Sequence, residues 1–439
     1  MSGTNQDTVS LEKIVSLCKR RGFVYPTAEI YGGLNGVYDF GPIGTILKNN
    51  IKKIWLKNIQ SFEEEVILLD GSILGPQNVW KASGHTEHFS DQMVDCQNCK
   101  KRFRVDEIKL EKPCPSCGIK KWTEARQFQL MFETNVGAVS DKSSIAYLRP
   151  ETAQSIFINF KNVLSSTRVK IPFGIAQIGK AFRNEVTPKQ FLFRIREFEQ
   201  MELEFFCKEK NSDKYFEEWI QRRKNFYLKI GLNPKKIKFR EHEKDELAHY
   251  SKRCMDIEYN FPFGFKELEG IAYRTNYDLI QHSKISGKDL SVFDPNTNES
   301  FIPHVIESSS GVERIFLTLL FDSYNEDIIE GEQRISLKLN PKLAPINAAI
   351  LPLTKKLSEQ TIKIYTNLKN KNFKVQFDES GSIGKRYRRQ DEIGTPVCFT
   401  YDFDSLKDQK VTARNRDTLE QKRISIDQLE NYLTDLLDK

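Results

Sequence analysis

Near the amino end of the chain, apolar residues recur every three or four positions in two stretches, which predicts two amphipathic helices. The first covers Leu11–Arg20 and has Leu11, Ile14, Val15 and Cys18 on one face. The second covers Thr45–Ile59, and its apolar stripe consists of Ile46, Leu47, Ile51, Ile54 and Trp55. This stripe could pack on the same molecule or on a partner, and the pattern alone favours the same molecule.

The stretch Phe182–Glu204 has the pattern of two strands joined by a loop. We expect a turn near Thr187-Pro188-Lys189, because proline fixes its own φ and disfavours helical backbone at the residue before it. Residues two apart share a strand face. The predicted polar face carries Arg183, Glu185, Arg194, Phe198 and Glu202, and the apolar face carries Phe191, Phe193 and Ile195. A hairpin with an ion-paired, solvated face would have the same pattern.

Past a predicted linker at Asn340–Pro345, strands and helices alternate. The predicted strands are Ala348–Leu353, Phe373–Phe377, Val397–Tyr401 and Lys410–Ala413, and the predicted helices are Lys356–Leu368, Ile383–Ile393 and Asp427–Leu437. Such alternation indicates a small α/β domain with a mainly parallel sheet. Its densest basic cluster consists of Lys385, Arg386, Arg388 and Arg389.

We therefore predict two domains, over residues 1–340 and 341–439. The first carries a four-cysteine insertion at about 91–125 and a charged helical insertion at about 208–255. The second insertion is predicted because Asn211–Glu243 is highly charged and has a helical pattern, as solvated helices do.

Composition adds little to this picture. The 439 residues are 39% apolar and carry a net charge of +7, which permits a polyanionic partner without requiring one. No apolar run approaches the roughly 18–20 residues of a membrane span, and the first residues lack the features of a signal peptide. We expect a cytoplasmic protein without membrane association, in which the eight cysteines are free thiols or metal ligands.

Four of those cysteines form two C-x-x-C pairs, which is the strongest metal signal in the chain. Fourteen residues lie between the first pair, Cys96 and Cys99, and the second pair, Cys114 and Cys117. Two such pairs suit a structural zinc bound by four thiolates. The alternative is a ribbon that keeps its cysteines without metal.

A second zinc chemistry also fits part of this region. His85-Thr86-Glu87 followed by Cys114 and Cys117 matches the pattern of zinc nucleobase deaminases, in which the glutamate moves protons. Against this alternative, Cys96 and Cys99 already complete a site with the second pair. A deaminase would also leave most of the chain unexplained.

Three stretches together resemble the signature motifs of class II aminoacyl-tRNA synthetases. They are Asp39–Gly44 before the second helix, Phe182–Glu185 with the following Arg194, and Gly311–Arg314 before an apolar helix at Ile315–Leu320. The resemblance is closest to glycyl-tRNA synthetases of the single-polypeptide, dimeric type. The phrases that carry it are Arg149-Pro150-Glu151-Thr152-Ala153-Gln154, Phe198-Glu199-Gln200-Met201-Glu202, Glu267-Leu268-Glu269-Gly270-Ile271 and Glu307-Ser308-Ser309-Ser310-Gly311.

This resemblance implies an α+β catalytic domain with a central antiparallel sheet, the class II synthetase fold, followed by an α/β anticodon-binding domain. It also implies an ATP site with two catalytic arginines, Arg183 and Arg314. The implied ATP-binding residues are Arg183, Asn184, Glu185, Phe193, Arg194, Ile195, Arg196, Glu197, Phe198, Glu267, Leu268, Gly311, Val312, Glu313 and Arg314. Magnesium would accompany ATP, with Glu267 as its protein contact.

The implied amino-acid site is rich in carboxylates, which would repel one another unless a cation such as the ammonium of glycine lay between them. The implied glycine-binding residues are Arg104, Glu151, Phe198, Glu199, Gln200, Met201, Glu202, Glu307, Ser308, Ser309, Ser310 and Gly311. Such an enzyme would join glycine to tRNA(Gly) through a glycyl-adenylate and would form a homodimer through the segment around Gly41–Ile59. Two alternatives remain: a synthetase of the same subgroup for histidine, proline or threonine, and a non-catalytic accessory subunit with this fold. The accessory subunit should lack the phosphate-binding arginines that are present here.

Overall fold

The computed structural model describes residues 9–138, 144–329 and 331–438. The helices of these residues are α1 Leu11–Arg21, α2 Pro42–Ile59, α3 Gln77–Ala82, α4 His85–His88, α5 Ala153–Thr167, α6 Ser212–Lys229, α7 Tyr277–Ser286, α8 Val312–Ser323, α9 Ser358–Asn370, α10 Ile383–Ile393, α11 Ser405–Asp408 and α12 Leu429–Asp438. None of them is long and apolar enough to span a membrane.

The strands before the large central sheet's hairpin are short: β1 Val24–Pro26, β2 Tyr38–Phe40, β3 Val66–Leu68, β4 Leu74–Pro76, β5 Ser90–Asp95, β6 Arg102–Arg104, β7 Arg126–Gln129, β8 Phe132–Asn135 and β9 Ile145–Leu148. The next group contains the long strands: β10 Phe173–Phe182, β11 Glu197–Cys207, β12 Ile237–Glu241, β13 Arg253–Phe261, β14 Gly264–Thr275, β15 Val292–Asp294, β16 Glu299–Phe301, β17 His304–Gly311, β18 Tyr324–Ile329 and β19 Glu332–Leu337. The last group is β20 Ala348–Pro352, β21 Val375–Phe377, β22 Val397–Tyr401, β23 Lys410–Asn415 and β24 Gln421–Ser425.

A seven-stranded sheet in the order β12-β13-β14-β17-β11-β10-β3 is formed by strands between Val66 and Gly311. Each neighbouring pair is antiparallel except β3 with β10. Helices α2, α6 and α8 contribute to one core cluster with strands of this sheet, and α5 contributes to another. The predicted α+β fold with a central antiparallel sheet is confirmed.

Helix α2 begins at Pro42, which suits a first helical position because proline lacks the N–H that would be unpaired there. Leu47, Ile51 and Trp55 of its apolar stripe are buried in the core of the same chain, together with α8. The prediction of a helix is confirmed, and the larger residues of the stripe pack within the molecule.

The central hairpin differs from its prediction in the length of the loop. Strand β10 ends at Phe182 and β11 begins at Glu197, so Arg183, Glu185 and Arg194 belong to the connection and not to the strands. Phe191–Phe193 forms a short 3-10 helix, and Phe191 itself has φ of 56°. Strand alternation was therefore a wrong basis for the orientation of these residues.

The charged segment Asn211–Glu243 is only partly helical. Helix α6 ends at Lys229, Gly231 follows with φ of 98°, and Pro234 opens a short turn. The chain then returns as β12, which pairs with β13 at the edge of the central sheet. The helical prediction is wrong after Lys229 because the glycine and the proline end the helix.

In the carboxy-terminal part, α10 has the predicted bounds and β20, β21, β22 and β23 lie where strands were expected. The sheet order is β21-β20-β22-β23-β24, parallel on one side and antiparallel on the other. The sheet is thus mixed, and β24 was not predicted because its sequence, Gln-Lys-Arg-Ile-Ser, has one apolar residue.

Candidate active site

A cavity of about 330 Å³ opens where the hairpin loop meets β11, β14 and β17. Ten of the predicted ATP-binding residues line it: Arg183, Glu185, Phe193, Arg194, Ile195, Phe198, Glu267, Gly311, Glu313 and Arg314. A second pocket of about 230 Å³ shares Arg183, Gln200, Glu267 and Ser309 with it. The two pockets therefore adjoin, as sites for two reacting molecules must.

Arg183 lies where the two pockets meet. Its Nε donates to the carbonyl oxygen of Pro150 at 3.1 Å. The guanidinium also lies 5.3 Å from the ring centroid of Phe198 and 5.4 Å from that of Phe89. These contacts hold the planar group between two rings and one carbonyl, an arrangement that can present N–H donors to an anion.

A second arginine of the larger cavity is held by a carboxylate and an aromatic ring. Arg314, at the start of α8, pairs with Glu267 at 3.1 Å and lies 4.6 Å from the ring centroid of Phe193. The nearby Arg314 guanidinium lowers the pKa of Glu267. Arg194 in turn pairs with Glu107 at 2.9 Å. Arg314 and Arg194 thus each have a carboxylate partner, and Glu267 is half-exposed at the cavity.

Glu185 has the features of an acceptor for a bound ligand. It is buried, and its Oε2 has no hydrogen-bond partner among the described residues. Burial raises the pKa of this carboxyl, against the opposing charges of Arg194 and Arg183. An unpaired buried oxygen is costly, so a ligand N–H that reached it would relieve that cost.

The remaining predicted ATP residues do not line the cavity. Leu268 and Val312 are buried in the hydrophobic core, and Glu197 pairs with Lys180 at 2.6 Å. Arg196 donates to the backbone oxygens of Glu185 and Asn35, which braces the loop. Asn184 holds the loop through its backbone N–H, which donates to the carbonyl oxygen of Leu130. The sequence motifs therefore contain two kinds of residue: those that line the cavity, and neighbours that hold the backbone of the cavity in place.

The smaller pocket brings together three carboxylates from separate parts of the chain. Glu151 follows β9, Glu202 lies on β11 and Glu307 on β17, and all three line the pocket with Ser309. Ser309 is the register partner of Glu202, and its Oγ donates to Glu202 Oε1 at 2.8 Å. Both the backbone N–H and the hydroxyl of Thr152 donate to Glu202 Oε2.

Crowding of negative charge sets the protonation of this pocket. Burial, with the charges of Glu151 and Glu307, raises the pKa of Glu202 to about 7. Burial also raises the pKa of Glu307, although Arg274 opposes it. Burial acts to raise the pKa of Glu151 too, but His85, Arg274 and Gln154 outweigh it and lower that pKa. The pocket is therefore short of positive charge, and a bound cation would stabilise it.

Sequence reasoning missed Arg274, the buried cation that pairs with Glu307 of the smaller pocket. It is 1% exposed, donates twice to Asp278 at 2.8 and 2.9 Å, and donates to Glu307 at 2.6 Å. The ring of Tyr250 covers it, with its centroid 3.8 Å from the guanidinium carbon. The sequence signal that could have indicated this ion pair is the opposite charge of Arg274 and Asp278 four residues apart, where β14 ends and α7 begins.

Several of the residues that were predicted to bind glycine lie outside the smaller pocket. Alternation along β11 turns Glu199 and Met201 to the other face, where Glu199 pairs with Lys48 at 2.7 Å and Met201 is buried in the core. Ser308 donates to Glu269 on that same face at 2.6 Å. The structure therefore does not bring these three side chains to the smaller pocket, because neighbouring residues of a strand point to opposite faces.

Of the others, Phe198, Ser310 and Gly311 line only the larger cavity, while Gln200 lines both. Arg104 also lines the larger cavity and is paired with Asp91 at 3.0 Å and Asp106 at 2.9 Å. Its position is on the side of the predicted ATP site, away from the three carboxylates, and does not favour a contact with glycine.

The four predicted metal ligands come together on the β5-β6-β7 sheet. Cys96 Sγ lies 3.6 Å from Cys117 Sγ, and Cys99 Sγ lies 3.8 Å from Cys114 Sγ. A tetrahedron with zinc–sulfur bonds of about 2.3 Å has sulfur atoms about 3.8 Å apart. The four thiols therefore fit zinc.

This arrangement contradicts the deaminase alternative. Cys114 and Cys117 are joined with Cys96 and Cys99 and not with His85. Instead, His85 Nε2 lies 3.2 Å from Glu151 Oε2, at the edge of the smaller pocket.

Another group of ligand atoms, from His242, Cys254 and Asp256, borders the smaller pocket. Arg240 donates to Asp256 at 3.2 Å, and His242 Nε2 lies 2.8 Å from the same carboxylate oxygen. The Arg240 guanidinium already supplies the positive charge here, so we interpret this group as an ion-paired network that links β12 to β13 beside the pocket.

Comparisons with known proteins agree with this geometry. Residues 133–324 match the family model of the tRNA synthetase class II core domain (G, H, P, S and T), and residues 347–436 match that of the anticodon binding domain. A glycine–tRNA ligase of Caldanaerobacter subterraneus subsp. tengcongensis is 52% identical over 98% of this chain and 99% of its own length. That of Clostridium acetobutylicum is 50% identical over 98% and 99%. That of Borreliella burgdorferi is 51% identical over 98% of each chain. The chain therefore belongs to the glycine–tRNA ligase family of class II aminoacyl-tRNA synthetases.

Proposed function

We infer that this protein is an enzyme that uses ATP to attach glycine to tRNA(Gly). In the first step a glycine carboxylate oxygen attacks the α-phosphorus of ATP, the bond to the β-phosphate bridge breaks, and pyrophosphate leaves. In the second step a hydroxyl of the terminal tRNA ribose attacks the activated carbonyl and AMP leaves. The observation that carries the proposal is the pocket of three carboxylates adjoining an arginine-rich cavity.

Neutralisation of charge and correct alignment account for catalysis of the first step, because an anion attacks another anion. Arg183 lies at the junction of the two pockets, so we assign it to the α-phosphate. We assign Arg314, with Arg194, to the γ-phosphate, because both guanidiniums line the larger cavity and neither lines the smaller pocket. Magnesium carried by ATP would neutralise the phosphates, and Glu267 is a suitable oxygen ligand for it.

Two further residues suit the adenine of ATP. Phe198 presents its ring to the larger cavity, where a base could stack on it. The unpaired carboxylate oxygen of Glu185 could accept a hydrogen bond from the exocyclic amino group. Together these contacts would orient the triphosphate toward the amino-acid pocket.

The amino-acid pocket suits glycine for steric and electrostatic reasons. The ammonium group would supply positive charge beside Glu202, whose pKa is raised by burial and by the charges of Glu151 and Glu307. A pocket that must accept the larger of two ligands differing by one methylene group can discriminate against the smaller one by only about 1–3 kcal/mol. Glycine is the smallest amino acid, so a closed pocket can exclude every other one sterically.

Exchange of pyrophosphate into ATP tests the proposed function. Glycine should stimulate exchange, whereas alanine and serine should give little response under the same conditions. Equal stimulation by alanine would remove the specificity, and no response to glycine would overturn the proposed reaction.

The raised pKa of Glu202 predicts a pH dependence of glycine use. Below about pH 7 the free enzyme has Glu202 protonated, so glycine meets one negative charge fewer. We expect kcat/KM for glycine to rise with pH, by up to about tenfold per unit, and to level off above about pH 7. Glu202→Gln should flatten this profile. A wild-type profile that is flat from about pH 6 to 8 would contradict the assignment.

We propose that Cys96, Cys99, Cys114 and Cys117 bind one structural zinc. Metal analysis of dialysed protein should give about one zinc per chain. Cys99→Ser should lower the zinc content well below that value, whereas Cys254→Ser, outside the cluster, should not change it. Correctly folded wild-type protein without zinc would refute the proposal.

We also propose that the enzyme is a homodimer that uses the region around Gly41–Ile59. Next to this region, Ile30 and Tyr31 are 88% and 86% exposed, and Leu34 is exposed as well. Apolar side chains this exposed on adjacent residues are typical of interaction surfaces. Light scattering at micromolar concentration should give twice the chain mass of 51.1 kDa, and a value of one chain mass would contradict the dimer.

For the carboxy-terminal part we propose a domain from about residue 341 that binds the anticodon stem, in the cytoplasm where tRNA is charged. Its sheet has a core of its own, separate from that of the central sheet. Anticodon changes in tRNA(Gly) should impair charging without affecting glycine-dependent exchange. Normal charging of such tRNAs would contradict this role.

A further inference from the structure

We propose that His85 is a positioning residue of the amino-acid pocket, which aims the Glu151 carboxylate at the substrate ammonium through a hydrogen bond from Nε2. This inference rests on the proposed function, because it concerns the glycine pocket. It assigns a role to His85, which lines neither the larger cavity nor the smaller pocket.

The imidazole has a defined contact at each nitrogen. Nδ1 lies 2.8 Å from the Oγ of Ser83, and Nε2 lies 3.2 Å from Oε2 of Glu151. His85 and Ser83 are both buried, at 7% and 2% exposure. Buried contacts of this kind exchange little with water, so each contributes to the orientation of the ring.

Hydrogen-bond chemistry determines which nitrogen carries the proton. An ionised Glu151 can only accept, so Nε2 must donate to it. With a neutral imidazole, the Ser83 hydroxyl donates to Nδ1. With a charged imidazole, Nδ1 donates to the Ser83 oxygen, and the hydroxyl can turn to the carbonyl oxygen of Trp80 at 3.3 Å. The donor to Glu151 is thus the same in both states.

Aromatic packing keeps the ring in this orientation. The ring centroid of Trp80 lies 5.5 Å from that of His85 at an interplanar angle of 78°, and the ring of Phe89 lies 5.3 Å away. The chain reaches this position through Gly84, whose φ of 78° favours glycine. The imidazole is therefore confined by two neighbouring rings as well as at its two nitrogens.

Glu151 is held at both oxygens. Oε2 faces His85, and Oε1 accepts from Gln154 Nε2 at 3.0 Å. Without the His85 donor, Glu151 would lie beside Glu202 and Glu307 with less support for its charge. We expect it then to rotate or to bind a proton, and either change removes a carboxylate from the ammonium.

Two amide variants separate the hydrogen bond to Glu151 from the bulk of the ring. The Gln amide of His85→Gln can reach the position of Nε2 and donate to Glu151. The shorter amide of His85→Asn reaches the position of Nδ1 and keeps only the Ser83 contact. His88→Asn is the matched control, because His88 lies on the same helix with its side chain 62% exposed.

Steady-state exchange kinetics should distinguish these variants. We expect His85→Asn to raise the KM for glycine about ten- to hundredfold, the range typical of a lost hydrogen bond to a charged group. Its kcat and its KM for ATP should stay within about threefold of wild type. His85→Gln and His88→Asn should keep the glycine KM within about threefold. A glycine KM of wild-type size in a folded His85→Asn would overturn the proposal, as would equal losses in His85→Asn and His85→Gln.

A second experiment does not depend on the folding of His85→Asn. Nitrogen NMR of the wild-type enzyme, labelled at its six histidines, reports which imidazole nitrogens carry a proton. The resonance that disappears in His85→Gln should carry a proton at Nε2. An unprotonated Nε2 would overturn the inference. If the wild-type enzyme showed no glycine-dependent exchange, the proposed function would fail instead, whereas the NMR result concerns His85 alone.

Discussion

Replacing Arg183 by alanine should lower the rate constant of glycine-dependent pyrophosphate exchange by about two to three orders of magnitude. A preorganised donor to a group whose charge changes in the transition state contributes about 3–4 kcal/mol. The loss should fall mainly on kcat and less on the KM values, because the contact strengthens as the α-phosphorus is attacked. Arg183→Lys should recover only part of the rate, since an ammonium lacks the planar fork.

Lys180→Ala is the matched control for this experiment. Lys180 lies on β10, three residues before Arg183. Its side chain pairs with Glu197 and does not line either pocket. We expect exchange within about twofold of wild type for the control. If Arg183→Ala remained within a few-fold of wild type, or lost its fold in circular dichroism, Arg183 would be structural and its assignment to the α-phosphate would fail.

Strand alternation correctly placed Phe198 and Glu202 on one face of β11. The same rule would have excluded Glu199 and Met201 from the pocket, but the contiguous family phrase led us to include them. Arg183, Glu185 and Arg194 do line the cavity, yet for a reason that periodicity could not supply. They belong to a loop whose course depends on Arg196 and on backbone contacts with distant residues.

Spacing identified the four cysteines because metal ligands in paired motifs are close in sequence. Spacing could not identify Arg274 and His85, because each contacts a carboxylate that is distant in sequence. His85 is 66 residues from Glu151 in sequence, and Arg274 is 33 residues from Glu307. Only the pairing of β14 with β17 and the turn before α4 bring them together.

The basic cluster of α10 shows the limit of charge counting. Lys385 is exposed, but Arg386 is buried and donates to the carbonyl oxygens of Asp378 and Leu353 at 3.2 Å. Arg389 pairs with Asp378 at 2.6 Å. Density of basic residues in the sequence therefore does not amount to a basic surface, because Arg386 and Arg389 bind groups of the same chain.

Replacing Arg274 by methionine should lower the free energy of unfolding by roughly 3–5 kcal/mol, the usual cost of removing one partner from a buried ion pair. Asp278 and Glu307 would each lose a direct cation contact at 2.6–2.9 Å, while burial would keep them from water. Arg253→Met is the control, because Arg253 pairs with Glu241 at 2.8 Å near the surface and such pairs contribute about 1 kcal/mol or less.

The pH dependence of this loss separates electrostatics from packing. Burial already raises the pKa of Glu307 and of Glu204, and Arg274 opposes both shifts, so its removal should raise both pKa values further. A carboxyl whose pKa is higher in the folded state destabilises that state as pH rises above its unfolded value of about 4.3. The deficit of Arg274→Met in urea unfolding should therefore be larger at about pH 8 than at about pH 5. An equal deficit at both values would mean that lost packing against Tyr250, and not uncompensated charge, accounts for the instability.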